Sequence, residues 1–188
     1  MMKKFFKSQK GFTVLESIVA ISILSLSISG VFAAVQQGLS QNIMAKNQII
    51  AFYLAQEGAE ILRNRRDSNQ IFIVDTLDVY SRHWLSGIAE NVNDPCYFDK
   101  VCRADAINLS LTSCGTKTSG ANCPNLKQDS SSRYGYASGN DTVFRREIRL
   151  EQINQNEIEV RVDVFWTKGI FQRQFTAKTY LFNWVRPI

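Results

Sequence analysis

The side chains of this 188-residue chain that could do chemistry fall into two groups. The first is a lone carboxylate, Glu16, set in a run from Phe12 to Val35 that is apolar or small and otherwise interrupted mainly by serines. An ionised group at the centre of a membrane-spanning helix costs about 2.5–3.5 kcal/mol on insertion scales, so it calls for a partner and a task. The second group is Cys96, Cys102, Cys114 and Cys123. A zinc site needs close pairs of soft ligands, and spacings of 6, 12 and 9 positions with a single histidine, His83, do not supply them. Four clustered cysteines are better read as disulfides formed in an oxidising compartment. Three connectivities are open, and short loops favour Cys96–Cys102 with Cys114–Cys123. No Gly-rich phosphate loop, nucleophile elbow or His–carboxylate cluster is present, so the sequence predicts neither an enzyme nor a cofactor or metal site.

Glu16 must be positioned by a helix. At 1.5 Å per residue the run from Phe12 to Val35 extends roughly 30 Å or slightly more, enough to cross a bilayer core. Ser22, Ser25 and Ser29 recur at helical spacing and form a small-residue stripe of the kind that packs against other helices in lipid. Ahead of the run lie Lys3, Lys4, Lys7 and Lys10. With these four set aside, 18 of the 22 Lys and Arg residues remain against 17 acidic ones, so the net charge of +5 is mostly a topology signal. Lysines before an apolar span hold that end in the cytoplasm and put the remainder outside.

The residues Lys10-Gly11-Phe12-Thr13-Val14-Leu15-Glu16-Ser17 carry a resemblance. A Lys-rich leader ending in Gly, then Phe, with Glu as the fifth residue after that Gly, resembles the N-terminal signal of type IV pilins and type II secretion pseudopilins. The resemblance implies a cytoplasmic leader over 1–11, cleavage between Gly11 and Phe12 by a prepilin peptidase, and N-methylation of Phe12 by the same enzyme. It further implies that Glu16 pairs with the terminal amine of a neighbouring subunit during assembly. The implied partners are the peptidase, other pilins or pseudopilins, an inner-membrane assembly platform and membrane lipid. Ala51 to Ile61, followed by Arg63-Asn64-Arg65-Arg66-Asp67, bears a softer likeness to minor pilin V and minor pseudopilin I. Two other readings of the N-terminus stay open: a secretory signal cut near Val31-Phe32-Ala33, and an uncleaved single-pass anchor.

The rest of the chain reads as a head over 36–188 behind an assembly half over 12–35. One helix of about 55 residues is expected from Phe12 to Arg66, turning amphipathic beyond Val35, with Ile43, Ile50, Leu54, Gly58, Ile61 and Leu62 on one face. Arg63, Arg65 and Arg66 are expected at its C-terminus. A short helix is expected around Val79–Ile88, then a disulfide-pinned loop over 93–140 with short strands at Tyr97–Val101 and Ala106–Leu111. Ile158, Val160, Val162, Val164 and Trp166 alternate with polar residues, the period of a half-buried strand. Thr142–Ile153 and Phe171–Phe182 flank it across turn residues and complete a meander over 142–182. The fold class is therefore α+β, a long N-terminal helix packed on a C-terminal antiparallel sheet, which is also the pilin arrangement. Nucleic acid is not expected as a partner: Arg145, Arg146, Arg149, Arg161 and Arg173 could form a DNA-uptake surface, but interleaved Glu147, Glu151, Glu159 and Asp163 favour cross-strand ion pairs.

Overall fold

The computed structural model describes residues 11–76, 83–119 and 122–185. Its first element is α1, Val14–Thr76, a helix of 63 residues. Seven strands follow: β1 Lys100–Asp105, β2 Ser110–Thr116, β3 Asn125–Gln128, β4 Tyr134–Gly135, β5 Asn140–Asn154, β6 Glu157–Lys168 and β7 Phe171–Phe182. The chain divides into two compact units after Lys46.

In the first unit α1 begins two residues later than the apolar run. The Glu16 N–H donates to Thr13 Oγ1 at 3.2 Å, and the Ser17 N–H donates to the Thr13 carbonyl at 3.1 Å, so Thr13 is the N-cap. Every residue from Gly11 to Ile43 is exposed, including Leu15, Ile21, Leu24 and Phe32. Several of the serines are satisfied within the helix. Ser22, Ser27 and Ser29 each donate to a carbonyl four residues back at 2.8 Å.

In the second unit the remainder of α1 packs on the sheet. Ala51, Leu54, Ala55, Ala59 and Leu62 are buried against Ile148, Leu150, Ile158, Val160, Val162, Val164 and Leu181. Three alanines and Gly58 on this stripe keep the helix surface low, which lets the strands come close. Ile43, expected on the buried face, is instead exposed and lies in the first unit.

The helix does not stop at Arg66. Its polar segment is anchored by tertiary hydrogen bonds instead of ending in solvent. Arg66, buried, donates through Nη1 to the Phe182 carbonyl at 2.6 Å. Asn69 donates to the carbonyls of Trp84 and Ser86 at 3.2 and 2.9 Å, and Gln70 donates to Asn183 Oδ1 at 3.0 Å. With these side chains anchored, Ile71-Phe72-Ile73-Val74 continues the helix, although Gln70 Oε1 is buried without a hydrogen-bond partner. Of the expected helix at Val79–Ile88, positions 79–82 lie outside the described residues, and His83–Ile88 forms successive turns.

The C-terminal meander pairs antiparallel, Ile148 opposite Val162 and Val162 opposite Ala177, with one register shift between Gln152 and Asn154 near the β5–β6 turn. The stretch 93–140 is more than a loop. It supplies four strands to the same sheet: β1 pairs with β5 at Cys102 and Ile148, β3 pairs with β5 at Asn125 and Arg145, and β2 and β4 extend these outward. The first two of these strands stand three to five residues beyond their expected positions. Disulfides join Cys96 to Cys102 and Cys114 to Cys123, bridging 6 and 9 positions. The first is part of the core; the second ties the end of β2 to the approach of β3.

Candidate functional site

Gly11 and Phe12 precede the helix, and both are exposed. A Cβ placed on Gly11 would meet nothing within 4 Å, so nothing in this chain's own packing requires glycine there. Any demand for a small residue at that bond must come from a molecule that grips it. Glu16 stands in the first turn of α1, where unsatisfied N–H groups favour negative charge, and its side chain is exposed. Gly11, Phe12 and Glu16 thus lie within one turn of the helix start, ahead of a span long and apolar enough to cross a membrane.

The charged residues of the head are arranged for a different purpose. The sheet sends Arg145, Arg149 and Arg161 to the face away from α1 and Arg146 to the face toward it. On the outer face Asp163 is fully buried, although it alternates with core residues and would be expected in solvent. Four side chains roof it: Arg149 Nη1 at 2.7 Å, Arg161 Nε at 3.0–3.1 Å, Gln174 Nε2 at 2.7 Å and Thr176 Oγ1 at 2.6 Å all donate to its carboxylate. Glu147 beside it accepts from Arg149 at 2.6 Å and pairs with Arg145 at 3.2 Å. Arg145 also lies over the Phe165 ring, 4.9 Å from its centroid. These arginines are committed to carboxylates, but only Arg149 reaches across strands, to Asp163, while Arg145 and Arg161 pair with Glu147 and Asp163 on their own strands; Arg173, in register with Trp166, belongs to the opposite face. The five therefore do not gather into one basic surface.

Further along the same outer face Glu159 binds Lys178 at 2.8 Å and accepts from Tyr180 Oη at 3.1 Å. The hydrogen bond from Lys178 holds the Glu159 carboxyl below its ordinary value, and the same contact holds the Lys178 ammonium above its own. Beneath the sheet Arg146, with no exposed surface, donates to the Leu54 carbonyl and to Glu57 Oε2, both at 2.8 Å, and to the Ala104 carbonyl. It joins α1, β5 and β1. This clamp was not signalled by the sequence, where Arg146 reads as one of several surface arginines. Its even-numbered register with Phe144, Ile148 and Leu150 was the available sign. Among the described residues no group of three or more His, Cys, Asp or Glu side chains is placed to hold a metal ion.

Residues 6–32 match the family model described as the prokaryotic N-terminal methylation motif, a span that contains Gly11, Phe12 and Glu16. No curated protein and no solved structure matches the chain. The chain thus carries a prokaryotic N-terminal methylation motif at the start of a helix long and apolar enough to span a bilayer.

Proposed function

We propose that this chain is a structural minor subunit of a type IV pilus or type II secretion pseudopilus. It is made with a cytoplasmic leader over 1–11, cut after Gly11 by a prepilin peptidase and methylated on the amine of Phe12. Residues 12–35 hold it in the inner membrane and later in the filament, with the head over 36–188 on the extracytoplasmic side. Glu16 pairs with the terminal amine of an adjacent subunit at the assembly platform. The observation that carries this reading is the single carboxylate in an otherwise uncharged, wholly exposed helix half, standing inside the matched methylation motif. A carboxylate in lipid is expensive alone and inexpensive beside a cation, so its position favours a role between chains. The likeness of Ala51 to Ile61 to minor pilin V and minor pseudopilin I fits a minor subunit.

Replacing Glu16 by Leu tests the assembly step. A plain anchor would insert as well or better without the charge. For a filament subunit, Glu16→Leu accumulates as mature protein starting at Phe12 in the inner membrane and is missing from sheared filaments. Equal incorporation of mutant and wild type would remove Glu16 from the assembly mechanism.

A further inference from the structure

Where β5 turns into β6 and β7 ends, the head contains a hollow of about 460 Å³, within the size range of small-ligand sites. Its walls come from the last turns of α1, the turns that follow His83, the loop closed by the Cys96–Cys102 disulfide, and the β5–β6 turn. Two kinds of side chain face each other there. Trp84, Tyr97 and Phe98 supply aromatic rings, and Gln155, Asn156 and Asn183 supply carboxamides.

The charge balance narrows the ligand. Among the described lining residues there is no Lys or Arg, and Glu90 is the one carboxylate. Among the described residues of the wall an anion finds no counter-charge, and a divalent cation finds one acidic group where it needs several oxygens. Carboxamides both donate and accept, as hydroxyl groups do. Two of them are fixed in place: Asn183 Nδ2 donates to Asn156 Oδ1 at 3.2 Å, and the Asn183 backbone N–H donates to the Asn156 carbonyl at 2.8 Å. His83 is oriented as well, since the Leu85 N–H donates to its Nδ1 at 3.1 Å. Trp84 is 3% exposed and its indole nitrogen is closed to solvent, so it contributes ring surface to the wall and no hydrogen bond to a ligand.

We propose that this hollow binds a neutral saccharide, with ring C–H faces against the aromatic wall and hydroxyls on the carboxamides. Rings with apolar faces and hydroxylated edges match both wall chemistries at once. The proposal does not depend on filament assembly.

The test uses the full-length chain in lauryldimethylamine oxide, a detergent without a sugar headgroup. It is titrated with N,N′-diacetylchitobiose, cellobiose and maltose, followed by saturation-transfer NMR and tryptophan emission. At least one of the three is expected to bind saturably. Two variants probe the site: Gln155→Ala and Asn156→Ala each remove one carboxamide from an exposed turn and leave the core untouched. Each is expected to weaken binding up to about tenfold, as the loss of one hydrogen bond does. Absence of saturable binding by all three sugars, or binding that Gln155→Ala and Asn156→Ala leave unchanged, overturns the proposal.

Discussion

Gly58 lies directly beneath the side chain of Arg146: a Cβ built on the glycine would stand 3.0 Å from Arg146 Cδ and 3.2 Å from Val162 Cγ1. The arginine cannot swing aside, because its guanidinium is fixed to Leu54, Glu57 and Ala104. Replacing Gly58 with Ala gains about 1 kcal/mol of helix propensity but meets an overpacking cost of about 1–3 kcal/mol. Gly58→Ala is therefore expected to destabilise the head by about 1 kcal/mol, seen as a melting temperature about 2–4 °C lower. Gly58→Leu should cost several times more. Combining Gly58→Ala with Arg146→Met should recover part of the loss, since the shorter, unanchored chain can move. Strictly additive effects in near-UV circular dichroism melts would show that the two residues are not coupled.

The two disulfides should differ in worth. Chain entropy alone gives loops of this length about 2–2.5 kcal/mol each. The Cys96–Cys102 pair is also buried in the core, whereas Cys114 is only partly covered. Alanine at both Cys96 and Cys102 should lower stability distinctly more than serine at both Cys114 and Cys123. Urea midpoints of the two double variants, with thiol counting to show none free in the parent, check this. Equal losses would mean that burial adds nothing to the first bridge.

Gly11 offers a variant in which fold and processing separate. Apart from its two chain neighbours, no atom of the described residues lies within 4 Å of a Cβ at that position, so Gly11→Val should leave the circular dichroism spectrum and melting temperature unchanged. Cleavage should fail, and intact mass should retain residues 1–11. A mature Phe12 terminus in Gly11→Val would mean that cleavage after Gly11 does not need glycine.

The Glu159–Lys178–Tyr180 contact between β6 and β7 gives a pH signature. Because the hydrogen bond from Lys178 depresses the folded Glu159 value, the contact contributes stability above the unfolded carboxylate value, near pH 4, and loses it as pH falls through the lower folded value. Burial raises the Tyr136 phenol, so its contribution runs the other way and is lost as pH rises past about 10. Lys178→Met should flatten the acid limb between pH 5 and 3 and leave the alkaline limb alone. Parallel acid limbs in melting curves of the two proteins would assign acid sensitivity to other carboxylates.

The meander was legible because period-2 alternation over Ile158 to Trp166 is a strong local signal, and turn residues at Asn154-Gln155-Asn156 and Gly169 bound it. The apolar helix half was legible for the same reason: length and composition suffice. Strands β1 to β4 were only partly so. They are short and polar, and what makes them strands is pairing with the far edge of β5, a contact between segments distant in sequence. Arg66, Asn69 and Gln70 misled in the same way, since a polar run marks a helix end only when nothing downstream satisfies it. Of the candidate site, Gly11, Phe12 and Glu16 could be named from residue type and order. The N-cap Thr13 went unread, although Thr followed by Glu three positions later is a capping pattern.

The serine hydroxyls of the exposed helix half have a bearing on transport. Ser22, Ser27 and Ser29 each spend their proton on a carbonyl of their own helix, so no polar bond to a surrounding molecule must break when that helix changes neighbours. In the proposed assembly, passage from lipid to a protein-lined environment would then depend chiefly on contact area and on Glu16. Under that proposal the segment would be a sliding rod with one latch, moving through unlike surroundings at little cost and stopping where the latch finds its match.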